Sequence, residues 1–253
     1  PHGHQGAGKY SVAGCSEIPA VAEAIDRFHY DYGLYLARLG YVAVCPDARG
    51  FGERRDLAFQ KDEENAFMRG TCFYLAHMAE PLGMTVAGMN TWDLMRLIDY
   101  LEERGEWNTE HLGCVGFSGG GLQTLYLAAL DERVRYAVIS GYLYGFKDSL
   151  LELNGNCSCN YVPGLWNALD MGDIASLIAP RPLVIQSGRA DHLNGPRGIV
   201  NAEEQVEIVR KPYGLNGAAE CLVHRCYEGG HQFHEEDLEE DLKRMKFFTQ
   251  ISG

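Results

Sequence analysis

Short apolar runs alternate with longer stretches of helical periodicity, and this alternation sets the class of the chain. Residues 41–45 (Tyr-Val-Ala-Val-Cys) form an apolar run stopped by Pro46, and similar runs occupy 112–117, 134–140, 182–186 and 220–227. Runs this short, bounded by turn residues, predict strands. Helical patterns lie between them. One occupies 20–39 and ends at Gly40, a weak one covers 65–78, and one covers 91–103 with Trp92, Met95, Leu97, Ile98 and Leu101 available to a core face. Others cover 122–130, 202–211 and 235–248. Strands separated by helices predict an α/β fold, a mostly parallel sheet with helices on both faces, whose working residues gather beyond the carboxyl ends of the strands. Residues 141–171, rich in Tyr, Asn, Gly and Cys, break the pattern and are expected to form a pocket-shaping insertion.

Composition narrows the partners. The length suits one domain over 1–253, and the apolar fraction of 46% is ordinary for a globular protein. A net charge of −13 argues against nucleic acid and against an anionic membrane surface, and no apolar run reaches the length of a membrane span. The eight cysteines are scattered through the chain, unlike a dense disulfide framework, and reduced thiols point to the cytoplasm. Cys45 and Cys114 sit in strand-like runs as small buried residues, while the close pair Cys157 and Cys159 could bind metal or form a strained disulfide, with two free thiols in a loop as the expected state. The opening Pro1-His2-Gly3-His4 has the character of a loop that follows a strand, so a native segment is expected to precede it.

The candidate chemistry begins at Gly116-Phe117-Ser118-Gly119-Gly120, a G-x-S-x-G sequence between the run 112–117 and the helical pattern 122–130. A serine on a sharp strand-to-helix turn holds its hydroxyl clear of the sheet, as a nucleophile must. The N–H of Gly119 then falls among the unpaired donors at a helix start, where it can hold an oxyanion. A serine also needs a base and a group to orient that base. Asp191 follows the strand 182–186 through a turn, and His231 follows the last strand through Gly229-Gly230, giving the order Ser, Asp, His with all three at one sheet edge. His192 and His234 are rival bases; the glycines before His231 favour it. The opening His2-Gly3-His4-Gln5-Gly6 has the form of a loop that supplies a second oxyanion donor, the backbone N–H of His4 or alternatively of Gln5. Gln5, Tyr142, Tyr161 and Trp166 are candidates for the wall of a substrate pocket, with Tyr144 beside them. Arg49 is expected to brace loops through an ion pair with Glu53 or Asp93.

Together these segments resemble the α/β-hydrolases of the dienelactone hydrolase and acetyl xylan esterase-like group, over almost the whole chain. The resemblance rests on His2-Gly3-His4, residues 46–54, Thr91-Trp92-Asp93, the serine turn, residues 160–164, residues 178–183 and Gly229-Gly230-His231. It implies an α/β-hydrolase fold and a serine carboxylesterase without cofactor. The implied substrates are small acyl esters, typically acetyl, including acetylated carbohydrates; a homo-oligomer is a family-level expectation. Four positions depart from the group: Ser118, Phe51, Gly119 and Gln232. Dienelactone hydrolases carry a cysteine nucleophile, and the better-known deacetylases carry R-G-Q, G-x-S-Q-G and His-Glu. This chain has Arg49-Gly50-Phe51, Gly119 and His231-Gln232.

Two readings of other classes stand beside this one. Metal-dependent hydrolysis would draw on His2-x-His4 and His231-x-x-His234-Glu235, but it leaves the serine turn unexplained. A binding protein that kept the fold without the activity is the third.

Overall fold

The four strands β1 (Gly113–Phe117), β2 (Tyr136–Ser140), β3 (Leu183–Gly188) and β4 (Leu222–Tyr227) lie side by side in chain order, and every pairing is parallel. A computed structural model describes residues 1–4, 6–59, 65–153 and 156–251. The helices are α1 (Lys9–Val12), α2 (Pro19–Phe28), α3 (Tyr32–Arg38), α4 (Cys72–Ala79), α5 (Val86–Arg104), α6 (Gly119–Leu130), α7 (Met171–Ser176), α8 (Ile199–Leu215) and α9 (Leu238–Ile251).

Side chains on a strand alternate between faces, and the two faces of this sheet bury different partners. Ala137, Ile139, Leu183 and Ile185 pack with Leu94 and Ile98 of α5, Leu122 and Leu125 of α6, and Val206 and Val209 of α8. Tyr136, Val138, Val184 and Phe117 point the other way, into a cluster with Ala24 of α2, Tyr32 of α3, and Leu238 and Leu242 of α9. Burial on both sides explains why β2 and β3 read as unbroken apolar runs. Ile139 and Ile185 are wholly buried, so truncating either to alanine should cost about 2–5 kcal/mol.

Local signals set the helix ends. Thr85 accepts a hydrogen bond from the N–H of Gly88 at the start of α5, and Gly105, at φ 61°, turns the chain out of it. Asp170 and Asp173 form a capping box on α7. The helical stretch expected over 20–39 is divided at His29, whose φ of 53° ends α2 before Tyr30 and Tyr32 enter the core.

Two expectations need correction. Residues 41–45 form no strand and pair with none among the described residues. Val42 and Val44 are exposed, and residues 41–46 line a cavity of about 660 Å³ together with 111–115. Trp92 is 56% exposed and lies under the Arg96 guanidinium; the buried stripe of α5 is instead Val86, Ala87, Asn90, Thr91, Leu94, Ile98 and Leu101. No helix among the described residues is long and apolar enough to cross a membrane.

Candidate active site

β1 passes directly into α6 at Ser118, whose backbone takes φ 56° and ψ −120°. That conformation is costly for a residue with a β-carbon and is held here from both sides. The Ser118 N–H donates to the Ser140 carbonyl at 2.9 Å, and its own carbonyl accepts from Leu122 at 3.0 Å. Glycine is required at both ends of the turn. A β-carbon at Gly116 would overlap the Gly120 carbonyl, and one at Gly120 would overlap the Pro1 carbonyl.

The loops after β3 and β4 bring two further groups to this turn. The His231 Nδ1–H donates to Asp191 Oδ2 at 2.7 Å, and the Ser118 hydroxyl lies 2.8 Å from His231 Nε2. The other Asp191 oxygen accepts from the Leu193 N–H at 2.9 Å, so the carboxylate is fixed before it meets the imidazole. Asn194 donates to the Gly188 carbonyl, and Asn201 of α8 donates to the Asn194 carbonyl, bracing the loop that carries Asp191. The His231 ring rests on Phe117 at 4.6 Å between centroids and meets His192 edge-on at 5.8 Å. Asp191 is 3% and His231 11% exposed, which keeps this hydrogen-bonded chain largely out of water.

The rival histidines are placed elsewhere. His234 is buried, stacked on Tyr227 at 4.0 Å and 3.5 Å from the Glu236 carboxylate; burial lowers its pKa. His192 is 74% exposed, with its ring nitrogen 3.8 Å from Asp191.

The opening loop lies over the serine turn. His2 is buried; its Nδ1–H donates to the Gly3 carbonyl and its Nε2 accepts from the Ala48 N–H at 2.9 Å. Loss of water pushes its pKa down to about 3, so the ring stays neutral. Gln123 of α6 donates to the carbonyls of both His2 and Gly119, at 3.1 Å each, tying the loop to the helix start. His4 packs against Gly119 so closely that a β-carbon there would overlap its ring. Gln5 lies outside the described residues.

Of the three aromatic candidates for the pocket wall, one lies in the core and two are partly exposed. Tyr142 is a core side chain, 4% exposed, tilted on Tyr144 and donating its hydroxyl to Asn160 at 2.7 Å. The Tyr161 hydroxyl is spent on the Leu150 carbonyl, and Trp166 stacks on Phe146. The first part of the insertion therefore fills core, because 141–146 continue the buried register of β2. Arg49 does brace loops: it grips Asp93 with two hydrogen bonds of 2.7 Å, while Arg54 takes the same carboxylate.

A second group of reactive side chains lies on the other side of the His4 loop. The ligand-type atoms of His4, Cys72, Cys157 and Cys159 all fall within 4.8 Å of one another. Cys157 and Cys159 are free thiols, as expected, but they meet Cys72 and His4, and His4 faces them instead of joining His2 or His231. Hydrogen bonds from Cys159 and Cys72 hold the Cys157 thiol far below the ordinary range. No local motif spans this group, because its members come from separate segments; Cys157-x-Cys159 is its trace in the sequence. Phe117, Gln123 and Asn194 also carried no signal beyond their apolar or polar type.

A parallel sheet covered on both faces, with a serine on a strand-to-helix turn and a histidine and carboxylate on later strand ends, defines an α/β-hydrolase. The chain belongs to the Abhydrolase family, which matches residues 17–252. It is 29% identical over 188 residues to the "putative hydrolase YtaP" of Bacillus subtilis (strain 168), covering 74% of this chain and 58% of that protein. The chain thus spans little more than half the length of that curated relative. Among solved structures, a "putative acetyl xylan esterase" of Bacteroides fragilis superimposes with a TM-score of 0.70 at 18% identity, over 96% of this chain and 64% of the other. A glucuronoyl esterase of Caldicellulosiruptor kristjansonii gives a TM-score of 0.54 at 21% identity, over 65% of this chain and 50% of the other.

Proposed function

We propose that this protein is a serine carboxylic-ester hydrolase acting on small acyl esters, acetyl above all, including acetylated carbohydrates. The single observation that carries the reading is His231, bonded through one nitrogen to Asp191 and through the other to the Ser118 hydroxyl. The family and the esterase names among its structural neighbours support the bond type.

In this reading Ser118 Oγ attacks the ester carbonyl while His231 Nε2 takes its proton. The imidazolium formed is oriented and stabilised by Asp191. The tetrahedral oxyanion is held by the backbone N–H groups of Gly119 and His4. Collapse expels the alkoxide, which takes the proton from His231 and leaves an acyl-Ser118. Water, activated by the same imidazole, then releases the acid and restores the hydroxyl.

The test is a panel of p-nitrophenyl esters of increasing chain length, acetylated sugars and glucuronoyl esters, with single-turnover kinetics. A burst of p-nitrophenolate with the acetyl ester, absent in Ser118→Ala, is expected. An unchanged rate in that variant would refute the mechanism. Faster turnover of long acyl chains or of glucuronoyl esters would refute the substrate assignment.

A further inference from the structure

We propose that His4, Cys72, Cys157 and Cys159 form a zinc site of structural type, which clamps the loop over Ser118 to the segment around 157–160. All eight cysteines of the chain are free thiols. Three of them, from two segments distant in sequence, meet one imidazole from a third, and scattered thiols have no reason to converge unless something holds them. Cys72 is the first residue of α4, and Cys157 and Cys159 flank the start of the turn Ser158–Asn160. His4 Nε2 lies 2.9 Å from Cys159 Sγ.

The donor set selects the metal. Three thiolates and an imidazole make a soft, four-ligand set that fits tetrahedral zinc. Bond lengths of about 2.0–2.3 Å imply ligand–ligand edges of about 3.5–3.8 Å, so a set already within 4.8 Å closes with shifts of roughly 1 Å. Cys72 and Cys159 are each 3% exposed, which suits a closed site with all four positions filled by protein. On binding, three thiols release their protons to solvent, three metal–sulfur bonds and one metal–nitrogen bond form, and the site carries one net negative charge.

The surroundings are those of a supported site. Asn160 directs its amide at Cys159 Sγ, 3.8 Å away, and donates to the Cys157 carbonyl at 2.9 Å. The Tyr142 hydroxyl holds the carbonyl end of the same amide at 2.7 Å. Such outer partners orient ligands and damp the charge on sulfur. This also accounts for Tyr142 and Asn160 being buried together. The His4 ring, gripped through Nε2, lies against Gly119, so the metal would fix the backbone of residue 4 beside the start of α6. That last consequence rests on the ester-hydrolase reading; the metal site does not.

The full chain, purified under reducing conditions without chelator, is assayed by elemental mass spectrometry and by cobalt substitution. About one zinc per chain is expected, together with thiolate-to-cobalt charge transfer and the intense visible bands of tetrahedral Co²⁺. Cys72→Ser and Cys159→Ser should each lose the metal, Cys226→Ser should keep it, and Asn160→Ala should weaken binding about 10–100-fold. The wild-type cobalt spectrum needs no variant to fold. A folded wild-type chain that takes up neither Zn²⁺ nor Co²⁺ overturns the proposal. So does cobalt bound without charge-transfer absorption, or a native disulfide among Cys72, Cys157 and Cys159. Ester turnover is read separately, so a zinc-loaded chain without activity would count against the function and not against the site.

Discussion

Gly119 and His4 are packed so tightly that the imidazole occupies the space a β-carbon on residue 119 would need. The related deacetylase pattern has glutamine at this position, and here no side chain fits while His4 faces the cysteines. Gly119→Ala must therefore push the His4 loop away from the serine turn. We expect kcat to fall by ~10²–10³, the cost of one lost oxyanion donor, with KM nearly unchanged. Circular dichroism should show an intact fold. A variant with wild-type kcat would remove His4 from the oxyanion assignment.

His231 and His234 are three positions apart in the chain but lie in different surroundings, one bonded to Asp191 and Ser118 and the other stacked on Tyr227. His231→Gln should lower kcat by at least ~10⁴, since a serine without its base is nearly inert. His234→Phe should retain activity within about threefold, because a phenyl ring preserves the stack on Tyr227 and gives up only the 3.5 Å contact with the exposed Glu236. Steady-state kinetics on p-nitrophenyl acetate decides the pair; the opposite ranking would reassign the base.

Much of this was legible because the relevant signals are local. The apolar runs that became β2 and β3 bury both faces, and a serine, a carboxylate and a histidine just beyond the ends of parallel strands share an edge by topology alone. Residues 41–45 read as a strand, but a ladder depends on a neighbour that no run of five residues can reveal. Trp92 failed for a related reason. Its spacing fits a core stripe, yet α5 is rotated so that Asn90 and Thr91 face inward and the indole lies under Arg96. Composition alone does not mark depth: Tyr142 and Tyr144 serve as core because 141–146 follow β2 into the interior, while Tyr161 stays partly exposed. The His4–cysteine group is the extreme case: nothing in the sequence links position 4 to 72 or 157.

Arg49 tests bracing against substrate contact. Its two hydrogen bonds to Asp93 use the planar fork that lysine lacks. Arg49→Lys should cost about 1 kcal/mol in urea unfolding while leaving KM for small esters unchanged. A KM that rises tenfold at unchanged stability would mean that the guanidinium binds substrate.

His224 on β4 gives the fold a definable acid sensitivity. Burial, aided by Arg210 and Arg189, lowers its pKa from 6.5 to about 4, and its Nε2 lies 3.1 Å from the Ser187 hydroxyl. The unfolded chain therefore binds this proton more readily than the folded one at intermediate pH. The linkage sign follows: the contribution to stability is complete above the unfolded value of 6.5 and is lost progressively as pH falls toward about 4. Allowing for partial exposure of the ring, the loss is about 1–2 kcal/mol. His224→Gln cannot titrate there, so its own stability should decline less between about pH 7.5 and about pH 4.5, by that same margin. Urea unfolding of both proteins at the two pH values measures the double difference, which cancels the carboxylates common to them. A double difference of zero would mean that the folded protein takes up this proton as easily as the unfolded chain does.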